Sequence, residues 1–149
     1  MRFVMVDEVQ KLVPGQSIEA TKTLDPSEEL FRDHFPGFPV VPGVLLTEMM
    51  AQAGGKCLFA GTPERGYPMM VRIRDATFRS WVRPGDLIHL RATVKSVSPL
   101  YATVTCAGSV DGRSVCAAEI VYGFVSREDL GGSPETSEIF TIQGESHER

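Results

Sequence analysis

Pro36, Pro39 and Pro42 stand at intervals of three, directly before a run with no proline at all, VLLTEMMAQAGGKCLFA at residues 44–60. No other feature constrains the fold as much. Proline lacks an amide donor and its ring clashes with a preceding helical turn, so residues 34–42 are barred from helix and predicted to form a stiff, extended loop. From Gly43 onward the chain is rich in Leu, Met and Ala, which predicts a helix of about four to five turns. Thr47, Glu48, Gln52 and Lys56 are its only polar residues. The last three recur at i, i+4 and i+8, a narrow stripe on an otherwise apolar cylinder, so most of the helix should be buried. Gly54–Gly55 predicts the close approach of another backbone.

The flanks read as strands. Residues 3–13 and 16–24, separated by Pro14–Gly15, are predicted to pair. Asp25 and Pro26, followed by Glu28 and Glu29, carry the signature of a short helix beginning at Pro26. After residue 63 the segments YPMMVRI, ATFRSWV, LIHLRATVKSV, YATVTCAGSV and SVCAAEIVYGFV read as strands, with Arg83–Asp86 and Asp111–Gly112 as turns. One buried helix and an antiparallel sheet of about six strands make an α+β domain over residues 1–126, the helix lying on one sheet face. Residues 127–149 are polar and predicted to form a loosely held tail.

Composition narrows the function classes. A net charge of −4 over 149 residues offers no global attraction to nucleic acid or to anionic membranes. The opening MRFVMVDEVQKLVPG has no long apolar run, so it reads as neither a signal peptide nor a membrane span. Cys57, Cys106 and Cys116 are odd in number and widely spaced, which predicts reduced thiols in a cytoplasmic protein and no metal centre. With a two-residue turn at Asp111–Gly112, residue 106 should oppose 117, placing Cys106 and Cys116 on opposite sheet faces.

Few residues can carry chemistry. His147 lies in the tail, and His89 alternates with apolar residues on a strand, which predicts a solvent-facing position. His34 sits in the stiff loop, and Glu48 lies five residues inside the helix that follows. Each alone has a bland reading, a loop histidine bonding its neighbours and a carboxylate on a solvated helix edge. Together, an imidazole and a carboxyl group flanking a helix start make a matched acid and base. Between them the amides of Gly43 and Val44 have no intrahelical acceptor and can stabilise a developing enolate. Gly43, without a side chain, lets a substrate approach.

The stretch DHFPGFPVVPGVLLTEMMAQ, residues 33–52, closely resembles the signature of the bacterial 3-hydroxyacyl-acyl-carrier-protein dehydratases of the FabZ type. FRSWVRPGDLIHL at 78–90 and VDGRSVCAAEIVYGFV at 110–125 resemble the same family. The resemblance implies a hot-dog fold, an antiparallel sheet wrapped around one long central helix. Two subunits would join their sheets side by side, as a homodimer or a trimer of such dimers. It also implies roles: His34 as base, and Glu48 of the partner copy as acid for the departing β-hydroxyl. The Gly43 amide would polarise the thioester carbonyl, the Val40 carbonyl would orient the imidazole, and Gln52 would position the Glu48 carboxyl. No cofactor is implied. Phe38 departs from the family, which often carries a polar or charged residue there.

The substrate so implied is a 3-hydroxyacyl thioester on acyl carrier protein or coenzyme A, dehydrated to the trans-2-enoyl thioester in fatty acid or polyketide-like synthesis. Leu45, Met49 and Phe78 are candidate walls of an acyl tunnel beside the helix, although Leu or Met at helical spacing also fits plain core. Carrier protein is acidic, so docking needs a local cationic patch. Arg79 and Arg83, close to Arg72 and Arg74, are the candidates. Two rival functions use the same fold: an acyl-CoA thioesterase, which has no need of His34, and a catalytically silent acyl-binding or dimerisation module.

Overall fold

A computed structural model describes residues 2–126 and 128–129. It contains strands β1 (Glu8–Val13) and β2 (Ser17–Lys22), the single-turn helix α1 (Leu30–Asp33), and the long helix α2 (Gly43–Gly61). A 3-10 turn (Pro63–Arg65) leads into β3 (Tyr67–Phe78), β4 (Ile88–Val97), β5 (Tyr101–Val110) and β6 (Arg113–Val125). The six strands form one antiparallel sheet in the order β1-β2-β4-β5-β6-β3. Helix α2 packs against β2 through β6. The sheet and the single long helix expected from the sequence are therefore both present, as is the helix start immediately after Pro42.

Alternation explains which face is buried. Along β4, Ile88, Leu90 and Ala92 enter the core with Met49, Met50 and Leu58 of α2, while His89 and Arg91 face outward. The stripe on α2 is not a solvated edge, because Gln52 and Lys56 are both buried, and burial pushes the Lys56 ammonium down from its ordinary pKa.

Several expectations need correction. Residues 3–7 are not strand; Phe3 and Met5 spend their backbone groups on the Gln52 side chain instead of a neighbouring strand. No helix begins at Pro26. The Asp25 carboxylate accepts from the Ser27 amide at 2.8 Å and forms a turn, so helix waits until Leu30. YPMMVRI and ATF belong to one strand, β3, which absorbs two bulges and ends at Phe78.

Cys106 and Cys116 lie on the same face. A bulge between Gly108 and Ser109 shifts the register so that Cys106 opposes Ala118 and Gly108 opposes Cys116, which reverses the parity a regular hairpin implies. All three cysteines are free and buried. The partner that presses on the helix at Gly54 is a side chain, not a backbone: a Cβ there would lie 2.6 Å from the Tyr122 hydroxyl. Backbones do meet at the end of α2, where a Cβ on Gly61 would lie 2.4 Å from the Gly15 Cα. The expected tail lies, apart from residues 128 and 129, outside the described residues, and His147 with it.

Candidate active site

The loop from His34 to Pro42 is closed on itself. The Val40 amide donates to the His34 carbonyl at 3.1 Å, and His34 Nδ1 lies 3.1 Å from the Val40 carbonyl. A carbonyl oxygen only accepts, so Nδ1 carries the proton and the Nε2 lone pair is left to act as a base. Phe35 and Phe38 exchange backbone bonds across a turn whose Gly37 has φ of 77°. The Val41 amide donates to the Val82 carbonyl at 2.7 Å and fastens this loop to the segment following β3.

Glu48 is fixed from the other direction. Gln52 Nε2 donates to Glu48 Oε1 at 3.0 Å and to the Phe3 carbonyl at 3.0 Å, while Gln52 Oε1 accepts from the Met5 amide at 2.7 Å. The Met5 N–H must face an acceptor, so the orientation of the Gln52 amide is settled and one of its donors is aimed at the carboxyl group. Sequence reasoning missed Phe3 and Met5, which lie 49 and 47 residues from Gln52 and leave no periodic trace.

At the start of α2, Leu45 and Leu46 both donate to the Pro42 carbonyl, and the amides of Gly43 and Val44 precede any helical acceptor. The space beside Gly43 is not empty. A Cβ there would meet the Phe78 ring at 3.3 Å, so Phe78 stands over the helix start, half exposed at 49%. Val44 is exposed, Leu45 half-buried, and Met49 wholly within the core.

Arg79 and Arg83 line a surface groove of about 810 Å³ together with Phe78, Trp81 and Arg113. Phe38 crosses Trp81 edge to face at 5.0 Å, and the Arg83 guanidinium lies 5.1 Å from the Phe38 ring centre. His89 stands apart on the outer sheet face, in a cavity of about 490 Å³ shared with Glu19 and Arg91. Among the described residues, no group of His, Cys, Asp and Glu is placed to hold a metal ion, and no helix is long and apolar enough to cross a membrane.

A family profile described as "FabA-like domain" matches residues 1–119. The 3-hydroxyacyl-[acyl-carrier-protein] dehydratase FabZ of Teredinibacter turnerae is 41% identical over 123 residues, 80% of this chain and 84% of the relative. Among solved structures, the dehydratase heterocomplex ApeI:P from Xenorhabdus doucetiae superposes with a TM-score of 0.67 at 15% identity, covering 87% of this chain and 88% of the other. A hypothetical thioesterase with coenzyme A from Streptococcus pneumoniae superposes at 0.63 and 11%, covering 80% and 85%. At such identities the two structures speak to the fold, which dehydratases and thioesterases share.

Proposed function

The chain belongs to the FabA-like domain family, and from that premise we propose that it is a dehydratase removing water from 3-hydroxyacyl thioesters in fatty acid synthesis, residues 1–126 forming its catalytic domain and 127–149 a tail. One observation carries the reading. The histidine and the glutamate are each held by a dedicated partner, Val40 for His34 in the loop that opens α2 and Gln52 for Glu48 five residues inside that helix.

His34 Nε2 takes the proton alpha to the thioester carbonyl, and Glu48 delivers a proton to the β-hydroxyl. A C–H and a C–O bond break, the C=C bond forms, and water leaves. The amides of Gly43 and Val44, at the positive end of α2, hold the carbonyl oxygen as charge moves onto it. The reading places His34 and Glu48 of one site on two copies of the chain, joined as a homodimer. What supports pairing is β3, an edge strand exposing Met69, Met70, Val71 and Ile73. Leu45 and Phe78 flank the acyl entrance, and Met49 backs it from the core.

Carrier protein, being acidic, docks on the arginines of the groove. Charge reversal of Arg79 and Arg83 should lower kcat/KM for carrier-bound substrate at least tenfold more than for a small thioester mimic. Equal losses on both substrates remove the docking assignment.

The test of the function itself offers the protein 3-hydroxyacyl and saturated acyl thioesters and follows enoyl product and free thiol. Enoyl formation, lost in His34→Ala and in Glu48→Gln, is the expected result. Thiol release from the saturated substrate without enoyl product would make the chain a thioesterase, and silence toward both would make it a binding module.

A further inference from the structure

We propose that the groove beside Trp81 binds the adenosine 3′,5′-bisphosphate end of coenzyme A, so that the chain takes coenzyme A thioesters in addition to carrier-bound ones. The inference rests on the dehydratase reading for where the thioester lies, and three observations carry it beyond that reading.

The first is charge. Arg79, Arg83 and Arg113 share the groove with one acid, Asp86, whose Oδ2 already accepts from the Arg83 amide at 2.8 Å. Three guanidinium groups around an open groove favour several phosphate oxygens, which they can hold through paired N–H donors.

The second is an aromatic face. Trp81 is 68% exposed, far more than an indole ordinarily is, and the edge of Phe38 at 5.0 Å restricts its orientation. An exposed ring already held in place can stack a heteroaromatic base at low entropic cost. A phosphopantetheinyl carrier protein presents one phosphodiester and no such base at the end of its arm, whereas coenzyme A presents a pyrophosphate, a ribose 3′-phosphate and an adenine.

The third is proximity. Phe78 lines the groove and its ring also packs over Gly43 at the start of α2, so one side chain separates the groove from the place proposed for the thioester carbonyl. An arm anchored by its thioester at Gly43 passes Phe78 and delivers its phosphates among the arginines, with adenine over Trp81.

Trp81 is the only tryptophan in the chain, so intrinsic fluorescence reports on the groove directly. The full chain is titrated at low salt with coenzyme A, adenosine 3′,5′-bisphosphate and 4′-phosphopantetheine. Coenzyme A and the bisphosphate should quench Trp81, with phosphopantetheine at least tenfold weaker. Arg83→Ala and Arg79→Ala, each checked for an unchanged circular dichroism spectrum, should weaken the bisphosphate at least fivefold. Quenching by phosphopantetheine as strong as by coenzyme A, no response to the bisphosphate, or wild-type binding in both arginine variants would overturn the assignment. The titration is repeated in His34→Ala, where dehydration is lost but quenching must persist. Failure of the dehydratase reading thus shows in enoyl formation, and failure of the nucleotide site shows in fluorescence.

Discussion

Gln52 holds three other groups at once: its two amide hydrogens are donated to Glu48 and to the Phe3 carbonyl, and its oxygen accepts from the Met5 amide. Replacing it with alanine frees the Glu48 carboxyl and orphans a buried backbone amide. Gln52→Ala should lower kcat about tenfold to a hundredfold with KM within about threefold, because a misplaced acid costs orientation and not substrate affinity. It should also lose about 1–3 kcal/mol of stability from the unsatisfied amide. Steady-state kinetics beside a urea melt separates the two effects, and loss of stability with unchanged kcat would reduce Gln52 to a packing residue. At this scale the sequence was informative about identity and poor about partners. His34, Glu48 and Gly43 stand out by residue type and position around Pro42, whereas Val40 and Gln52 drew their roles from resemblance alone. Phe3 and Met5 were invisible, since bonds between a side chain and a distant backbone follow no residue pattern.

The helix and the sheet are fitted to one another through Gly54 and Tyr122. The buried Tyr122 hydroxyl donates to the Ala51 carbonyl at 2.6 Å, one turn beyond the carboxylate of Glu48 in the chain, and occupies the space a Cβ on Gly54 would need. Gly54→Ala should therefore cost about 1–3 kcal/mol in the wild-type chain. In Tyr122→Phe the 2.6 Å clash with the hydroxyl is gone, and only Val104 Cγ1 at 3.3 Å and the nearest ring carbon at 3.4 Å remain, so the same substitution should cost less. Additive losses in the double-mutant cycle would refute this account of the glycine. The sequence made the long helix plain because a proline run and an apolar run meet at Pro42. It misjudged what approaches Gly54, because a glycine signals missing volume without saying what fills it. It misjudged the faces of Cys106 and Cys116 for a related reason, since a bulge at Gly108/Ser109 inverts parity without altering the strand's residue types.

Over the whole molecule, buried thiols link stability to alkaline pH. Burial pushes Cys106 up to about 12 and Cys116 up to about 11 from an ordinary value of 9.0. Between those limits the folded chain keeps protons that the unfolded chain releases, so stability holds below about pH 9 and falls as pH rises toward the folded values. The urea midpoint should drop between about pH 9 and pH 11, and less steeply in Cys106→Ala/Cys116→Ala; identical slopes would assign the loss to other groups. The same scale decides the central claim, that an imidazole from one copy and a carboxyl group from another act on one substrate. His34→Ala and Glu48→Gln, each inactive alone, are unfolded together, refolded as a mixture and assayed for enoyl formation. Random pairing in which each mixed dimer keeps one intact site predicts recovery of about a quarter of wild-type activity. A mixture as inactive as either variant, or wild-type turnover by either variant alone, would contradict it.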